Sequence, residues 1–524
     1  MEKQLQFSPS SCIIMNIGRT NSVHIYDRRR LKKERMRKLQ ELITALPEGF
    51  KLEDYQIYPE SINRLDDSWI FMVKVEGTDY LAVIGELTKK FKGKDGSGFL
   101  LADLNHENAS VLREIFPFTA PSAVLGAERT FGVGDRLGIA CFGHIRVFRE
   151  YDARPVFAQQ SIRELNLTQR SFADVLDAVT FAVFREGFRN GFGADGDHLK
   201  KPEEVEAALE CGYTMITLDL SDHINKGDVP DLEIPAEIRQ RYLQKTFDVE
   251  GEKIAFSEAD LKECLHVYGK ALNFAAVIYH EYIAPAGGRI NFEVSIDETE
   301  LPTTPAQHYF VANELMVAGV KVDTLAPRFC GEFQKGIDYI GDLERFEEEL
   351  KIHAAIARKF GYRLSIHSGS DKFSIFELIG KHTRGRFHVK TAGTNWLEAM
   401  RLVAMKDPGL YREIHAYALE KFPEAKAFYH VTTDLGRIPK LETVSDEDLP
   451  LYFQNDDARQ LIHITYGFIL NAKNENGSYR FKTRLYELWR KHEDLYSEML
   501  YKHIGKHLKL LYSGSNQGGV EDEI

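Results

Sequence analysis

The chain has 524 residues, 43% of them hydrophobic, enough to bury one large core or two. Its formal net charge is −12 and its Lys and Arg residues are scattered rather than gathered beside aromatic platforms, which argues against a nucleic-acid partner. No stretch approaches the ~20 uninterrupted apolar residues that cross a bilayer, and the first twenty residues lack an apolar run of signal length, so the expectation is a cytoplasmic protein with no membrane partner.

The five cysteines, Cys12, Cys141, Cys211, Cys264 and Cys330, are odd in number, far apart and without a CxxC pair, which fits reduced thiols better than a disulfide framework. Residues 1–125 read as an N-terminal α+β elaboration. A basic stretch from Arg28 to Lys38 runs into the amphipathic segment LQELITAL, the pattern of an exposed helix face, and two strand-like runs follow, Trp69 to Val75 and Tyr80 to Ile84.

From about residue 126 strands and helices alternate. VFAQQS precedes a helix over Ser171 to Phe188, GFGADGDH one over Pro202 to Cys211, and MITLDLS a long helix ending near Tyr282. INFEVSID precedes Pro305 to Val317, VDTLAPRF precedes Leu343 to Phe360, RLSIHSGS precedes Phe373 to Ile379, and FHVKTAG precedes Trp396 to Met405. Seven βα units are thus visible, with AFYHVTTD or LIHITYG as candidates for an eighth strand. Strands alternating with helices predict a parallel sheet, and this number of units favours closure into a (β/α)8 barrel over 126–470. An open doubly wound sheet should carry a Gly-rich turn after its first strand, and VFAQQSIREL has none. Residues 471–511 read as packed C-terminal helices and 512–524 as a flexible tail.

In such barrels the chemistry sits at the carboxyl ends of the strands. In INFEVSID, Phe292, Val294 and Ile296 alternate with Glu293, Ser295 and Asp297, so one set meets helices and the other faces the site. Asp195, Asp197 and His198 crowd the glycine-spaced turn GADGDH, and His367 ends the strand RLSIH with its ring inward. His308 lies about one turn into a helix that Thr304 can cap with Pro305 at its first position. Imidazoles with a carboxylate can hold a divalent ion of the zinc, manganese, cobalt, nickel or iron kind, residue types alone not choosing among them. An inward Glu293 needs a metal, a cation or a proton-transfer role, and Lys390 in HVKTAG is the obvious cation, able also to read a substrate carboxylate. Arg328 can grip a carboxylate bidentately or form a structural pair. Asp219 and Asp297 suit the orienting of histidines.

The strings FGVGDRLG, PVFAQQSIREL, GFGADGDHLK, FEVSIDET, PTTPAQHYFVANEL, LAPRFCGEFQKGIDYIGDL, LSIHSGSDKFSIF and HVKTAGTNWLEA occur in one order over roughly residues 125–470. Together they resemble the bacterial tagaturonate/fructuronate epimerase family. The resemblance implies a metal-dependent barrel enzyme that acts on a small sugar acid, interconverting D-tagaturonate and D-fructuronate in hexuronate breakdown, with neutral ketohexoses as further candidate substrates. It also implies His198, His308 and His367 as metal ligands, Asp197 as proton acceptor, and Glu293 as its acid partner, with Asp297 the rival for that last role. Gln160, Arg328, Ser370 and Lys390 are the expected substrate contacts. A metal-dependent sugar-acid aldolase or aldose-ketose isomerase would use the same residue set, and a homo-oligomer is compatible with the sequence.

Overall fold

The computed structural model describes residues 21–47, 49–299 and 301–517, so Cys12 and the end of the expected tail lie outside it. The chain divides into two compact units, one ending at Asp103 and one beginning at Leu104. The expected boundary at 125 falls inside the second unit. The reason is local: the helix His106–Ile115 is tied to the barrel helix Phe172–Glu186 by Arg113, which donates to Asp177 and Thr180 at 2.8 and 2.9 Å.

In the first unit the helix Asn21–Ala45 carries the basic stretch, with Lys38 and Arg37 paired to Glu34 and Glu41 along the helix surface. Its Leu42 is buried in a cluster with Trp69, Phe71 and Val73 of a six-stranded sheet. The two runs expected as strands, Ser68–Val75 and Thr78–Ile84, pair antiparallel across Glu76 and Gly77, whose φ values of 47° and 82° make the two-residue turn a tight hairpin requires.

The second unit is a closed barrel of eight parallel strands: β1 (Arg129–Val133), β2 (Arg154–Ser161), β3 (Gly193–Leu199), β4 (Met215–Asp219), β5 (Asn291–Ile296), β6 (Thr324–Pro327), β7 (Arg363–Ile366) and β8 (Phe387–Thr391). Each strand pairs with the next, and β8 closes on β1 with Phe387 opposite Arg129. The eighth strand therefore precedes the seven legible ones instead of following them. AFYHVTTD forms no strand, and LIHITYG lies in the helices Asp456–Ile464 and Tyr466–Asn471, the first capped by Asn455.

Alternation along β5 sends Phe292, Val294 and Ile296 into the hydrophobic layer under the helices, while Glu293 faces the barrel axis. Register sets Thr217 of β4 opposite Glu293 and Glu293 opposite Thr324 of β6, so one ring of polar side chains crosses the barrel at a single height. Gly132 on β1 leaves room in that ring: a Cβ there would lie 1.9 Å from Gln159 Oε1.

After β8, helices from Thr394–Lys406 to Glu493–Gln517 build a second core around Trp396, Tyr411, Tyr466 and Trp489. Both indoles find carbonyl acceptors, Trp396 on Ile462 and Trp489 on Ala399. The last helix continues through Gln517, so residues 512–517 extend the packed helix in place of the expected tail. It lies close against the helix Phe376–His382, because Gly380 and Gly514 let the two backbones approach. A Cβ on either would lie 2.0 Å from the carbonyl oxygen of Leu511 or Glu377. The four described cysteines are free thiols, and among the described residues no helix is long and apolar enough to cross a membrane.

Gly380→Ala should therefore lower stability by about 1–3 kcal/mol, the range of an overpacked core position. The measurement is a fall in the urea midpoint at unchanged m; an unchanged midpoint would contradict the close helix contact.

Candidate active site

Five strands deliver side chains into one polar cluster at the barrel mouth. Lys390 of β8 places Nζ 2.6 Å from Asp195 Oδ2, 3.2 Å from Glu293 Oε1 and 2.6 Å from Thr217 Oγ1, and it also contacts Asp197 Oδ1. Burial opposes the ammonium charge, but Asp195, Asp197 and Glu293 outweigh it and hold Lys390 well above its ordinary value. Burial likewise raises each carboxyl. For Asp197 the pull of Lys390 and His198 wins and the group sits well below the usual range; for Glu293 Lys390 and His367 do the same. Asp195, deepest and flanked by the other two acids, is pushed up to about 6 despite Lys390.

Above this layer stand the two imidazoles. His198 has φ 54°, a left-handed conformation rare outside glycine, at the point where the β3–β4 register shifts. That distortion lets the successive residues Asp197 and His198 both line the same chamber. His198 Nδ1 is 2.8 Å from Asp197 Oδ1, and its Nε2 faces Asp297 Oδ1 at 4.0 Å. His367 mirrors it: Nε2 is 2.7 Å from Glu293 Oε1 and Nδ1 3.3 Å from Asp297 Oδ1. The ring centroids are 4.8 Å apart, and the Ser295 hydroxyl donates to Asp297 Oδ1, fixing that carboxylate between them.

The set His198, Asp297 and His367 can offer one ligand atom each, all within 4.8 Å of one another. Each imidazole has its remote nitrogen held by a carboxylate, the arrangement that orients metal-ligating histidines. His367 Nδ1 is buried without a well-formed hydrogen bond. Burial opposes protonation of His367, yet Asp297 and Glu293 push it up to about 10, so the two carboxylates favour positive charge on this ring. The donor chemistry, two nitrogens and a carboxylate oxygen, fits a divalent ion. A second grouping of His198 with Asp219 and Glu298 is weaker, since Lys200 Nζ lies 3.6 Å from Asp219 and Glu298 is exposed.

Two chambers that share Lys335, His367 and Ser368 lie over the cluster. The inner one, about 50 Å³, is lined by Asp197, His198, His367 and Lys390 together with Arg136, Lys335, Gly393 and His463. The outer one, about 580 Å³, is lined by Asp297, Arg163, Arg328, Lys335 and Tyr429 among others. Its size suits a small-molecule ligand.

A family model described as tagaturonate epimerase (UxaE) matches residues 58–511. The tagaturonate/fructuronate epimerase of Thermotoga maritima is 42% identical over 474 residues, covering 87% of this chain and 97% of the relative. A crystal structure of the fructuronate-tagaturonate epimerase of Cohnella laeviribosi with one glycerol superposes with a TM-score of 0.86 at 49% identity, covering 90% of this chain and 99% of that one. The native crystal structure of the same protein gives 0.85 at 48% identity. The chain belongs to the tagaturonate epimerase family.

For a tagaturonate epimerase family member, the residues expected from sequence divide in three ways. Asp197, His198, Glu293, His367 and Lys390 come together, and Ser370 lines the inner chamber. His308 does not join them. Its helix begins as expected, with Thr304 as cap and Pro305 first, but the ring is buried between helices: Nδ1 is 2.8 Å from His353 Nδ1 and Nε2 2.5 Å from Tyr362 Oη. Burial, with His353 alongside, keeps it well below its ordinary value, and Asp297 takes the place expected of it beside the other two histidines. Lys390 lines the inner chamber with its ammonium already paired to three carboxylates. Arg328 lines the outer chamber only, and Gln160 is buried away from both chambers.

Sequence reasoning missed Lys335, Arg136, Arg163 and His463, which sit in loops and helices without barrel periodicity. A further group, Asp371 with His503 and His507, has the residue types of a metal centre but is spent on protein contacts. Arg459 binds Asp371 Oδ2 at 2.7 Å, His503 holds the other oxygen, and His507 Nε2 accepts from the Asp371 backbone at 3.0 Å.

Lys390→Met should leave the buried carboxylates uncompensated and destabilise the protein by about 3–5 kcal/mol. Equilibrium unfolding in urea reads this; a loss under about 1 kcal/mol would mean the cluster is hydrated and the ion pairs weak.

Proposed function

We propose that this protein is a divalent-metal-dependent epimerase that interconverts D-tagaturonate and D-fructuronate. The observation that carries the reading is the convergence of His198, Asp297 and His367 at the mouth of a barrel of this family, with Asp197 and Glu293 behind the imidazoles. A divalent ion held by these three side chains would act as a Lewis acid toward the ketone and hydroxyl oxygens of the substrate. The reading assigns the enzyme to hexuronate breakdown in the cytoplasm, consistent with the free state of the described cysteines.

The two sugars differ at a hydroxyl-bearing carbon that is not next to the ketone, so enolisation alone does not invert it. The route the site favours is cleavage and re-formation. Asp197, ionised and on the chamber wall, takes the proton of the hydroxyl on the inverted carbon. The hydroxyl oxygen becomes an aldehyde carbonyl, the bond to the carbon beside the ketone breaks, and its electron pair passes into the enediolate of the other fragment. The aldehyde turns its opposite face, the same bond re-forms, and the proton returns from Asp197 to oxygen. Direct inversion at carbon needs two proton-transferring groups on opposite faces. Glu293, the expected partner, is fully enclosed by Thr217, Thr324, His367 and Lys390, which favours the single-base route.

Conversion of D-fructuronate by chelator-treated protein, followed by NMR, should return on adding divalent ions. His198→Ala should lose both the conversion and the visible absorption of bound cobalt, and the hydrogen on the inverted carbon should be retained in deuterium oxide. No conversion with any ion would overturn the reading; released aldehyde fragments would redirect it to an aldolase, and deuterium at that carbon to two-base inversion.

A further inference from the structure

The inner chamber that holds His198 and His367 also presents groups whose hydrogen-bonding capacity the described residues do not fill. Arg136 is 2% exposed and gives Nε and Nη2 to Glu164 Oε1 at 2.9 and 2.7 Å, while Nη1 has no partner among the described residues. Its guanidinium is locked in place over the Tyr466 ring, 4.1 Å from the centroid. His463 is 1% exposed and neither ring nitrogen has a partner. Gly336 and Gly393 make room for that ring, since a Cβ on Gly393 would lie 1.8 Å from His463 Cε1. Lys335, shared by both chambers, has Nζ 2.9 Å from Ser368 Oγ and pairs with no carboxylate among the described residues.

These three buried or half-buried groups line one chamber, and leaving the Arg136 and His463 nitrogens unpaired is costly unless a ligand completes them. The contrast with Lys390 is direct: one lysine is paired with three carboxylates, the other with none among the described residues. Burial, with Arg163 and Arg136 nearby, lowers the affinity of Lys335 for its proton, a strain that a bound anion relieves. The guanidinium edge, the ammonium and a neutral imidazole N–H together match a planar carboxylate.

We propose that Lys335, with Nη1 of Arg136 and the ring of His463, forms the subsite that binds the substrate carboxylate and separates uronates from neutral ketoses. This rests on the uronate reading above and deepens it. In a hexuronate the inverted carbon lies between ketone and carboxylate. A carboxylate at Lys335 and a ketone toward the His198–His367 side therefore place that carbon in the chamber lined by Asp197. Arg328, in the outer chamber alone, is left without this role.

The test uses the metal-loaded protein, with Lys335→Ala and Lys335→Arg. Lys335→Ala should raise KM for D-fructuronate about 10- to 100-fold, the effect of losing one charge-assisted hydrogen bond. Added ethylammonium should lower KM again while ethanol does not, and Lys335→Arg should retain most of the affinity. An unchanged KM in Lys335→Ala, or a loss that ethylammonium leaves in place, overturns the subsite. Calorimetric titration with D-glucuronate reads the same site without turnover. If wild type converts no fructuronate, the epimerase reading fails, while Lys335-dependent glucuronate binding still supports the subsite and its absence overturns it.

Discussion

One buried ammonium holds this site together. Asp195, Asp197 and Glu293 converge in the barrel mouth, and each ionised carboxylate taken from water costs several kcal/mol before any attraction is counted. Lys390 touches all three. Because of it Asp197 and Glu293 stay ionised, and ionised carboxylates are what His198 and His367 need behind them. The orientation of both imidazoles toward Asp297 is therefore set two residues away from where an ion would sit. With Lys390 so occupied, the carboxylate subsite proposed above draws its cations from outside this cluster.

Those outside groups are held by the C-terminal helices. The segment after β7 runs from His367 through Ser368 and Ser370 to Asp371, where Arg459 and His503 grip the carboxylate and His507 accepts from the backbone N–H. Lys372 donates to the carbonyls of Gln334 and Ile337, tying this segment to the one that bears Lys335. Gln334 in turn accepts from the Thr432 backbone and from Gln460. His463 comes from the same helical layer. The extension beyond the barrel thus builds one wall of the chamber and fixes two of its loops.

Most of the barrel was legible because its strands keep a period of two and end in polar residues, and that pattern alone brought Asp197, His198, Glu293, His367 and Lys390 to one rim. It failed where period and length give no signal. β1 is five residues, Arg129–Val133, with no helix-length pattern before it. LIHITYG is a short apolar run of the kind that fits strand or buried helix equally, and the Asn455 cap with two acids in the first turn decides for helix. For His308 the cap, the proline and the helix start were all readable. The direction of its ring was not, since that depends on how the helix rolls against Tyr362 and His353. Asp297 was placed inward by alternation, but its position between two imidazoles needs Ser295 and the closed barrel. The unpaired edge of Arg136 is a property of packing, visible only once Glu164 and Tyr466 are in place.

The two chambers differ in a way that bears on cleavage and re-formation. About 50 Å³ beside Asp197 and Lys390 holds on the order of one or two waters, too little for a six-carbon sugar to tumble. The roughly 580 Å³ beyond it is ample. His367, Ser368 and Lys335 line both, so a substrate that spans the two would pass these side chains. On the proposed route an aldehyde fragment generated there would need only to rotate about one bond before recombining, and a carboxylate held at Lys335 would limit it to that motion. On the cleavage route and subsite proposed above, retention of the fragment and inversion of its face would both follow from a single anchor, tying the charge that defines a uronate to the stereochemistry of its epimerisation.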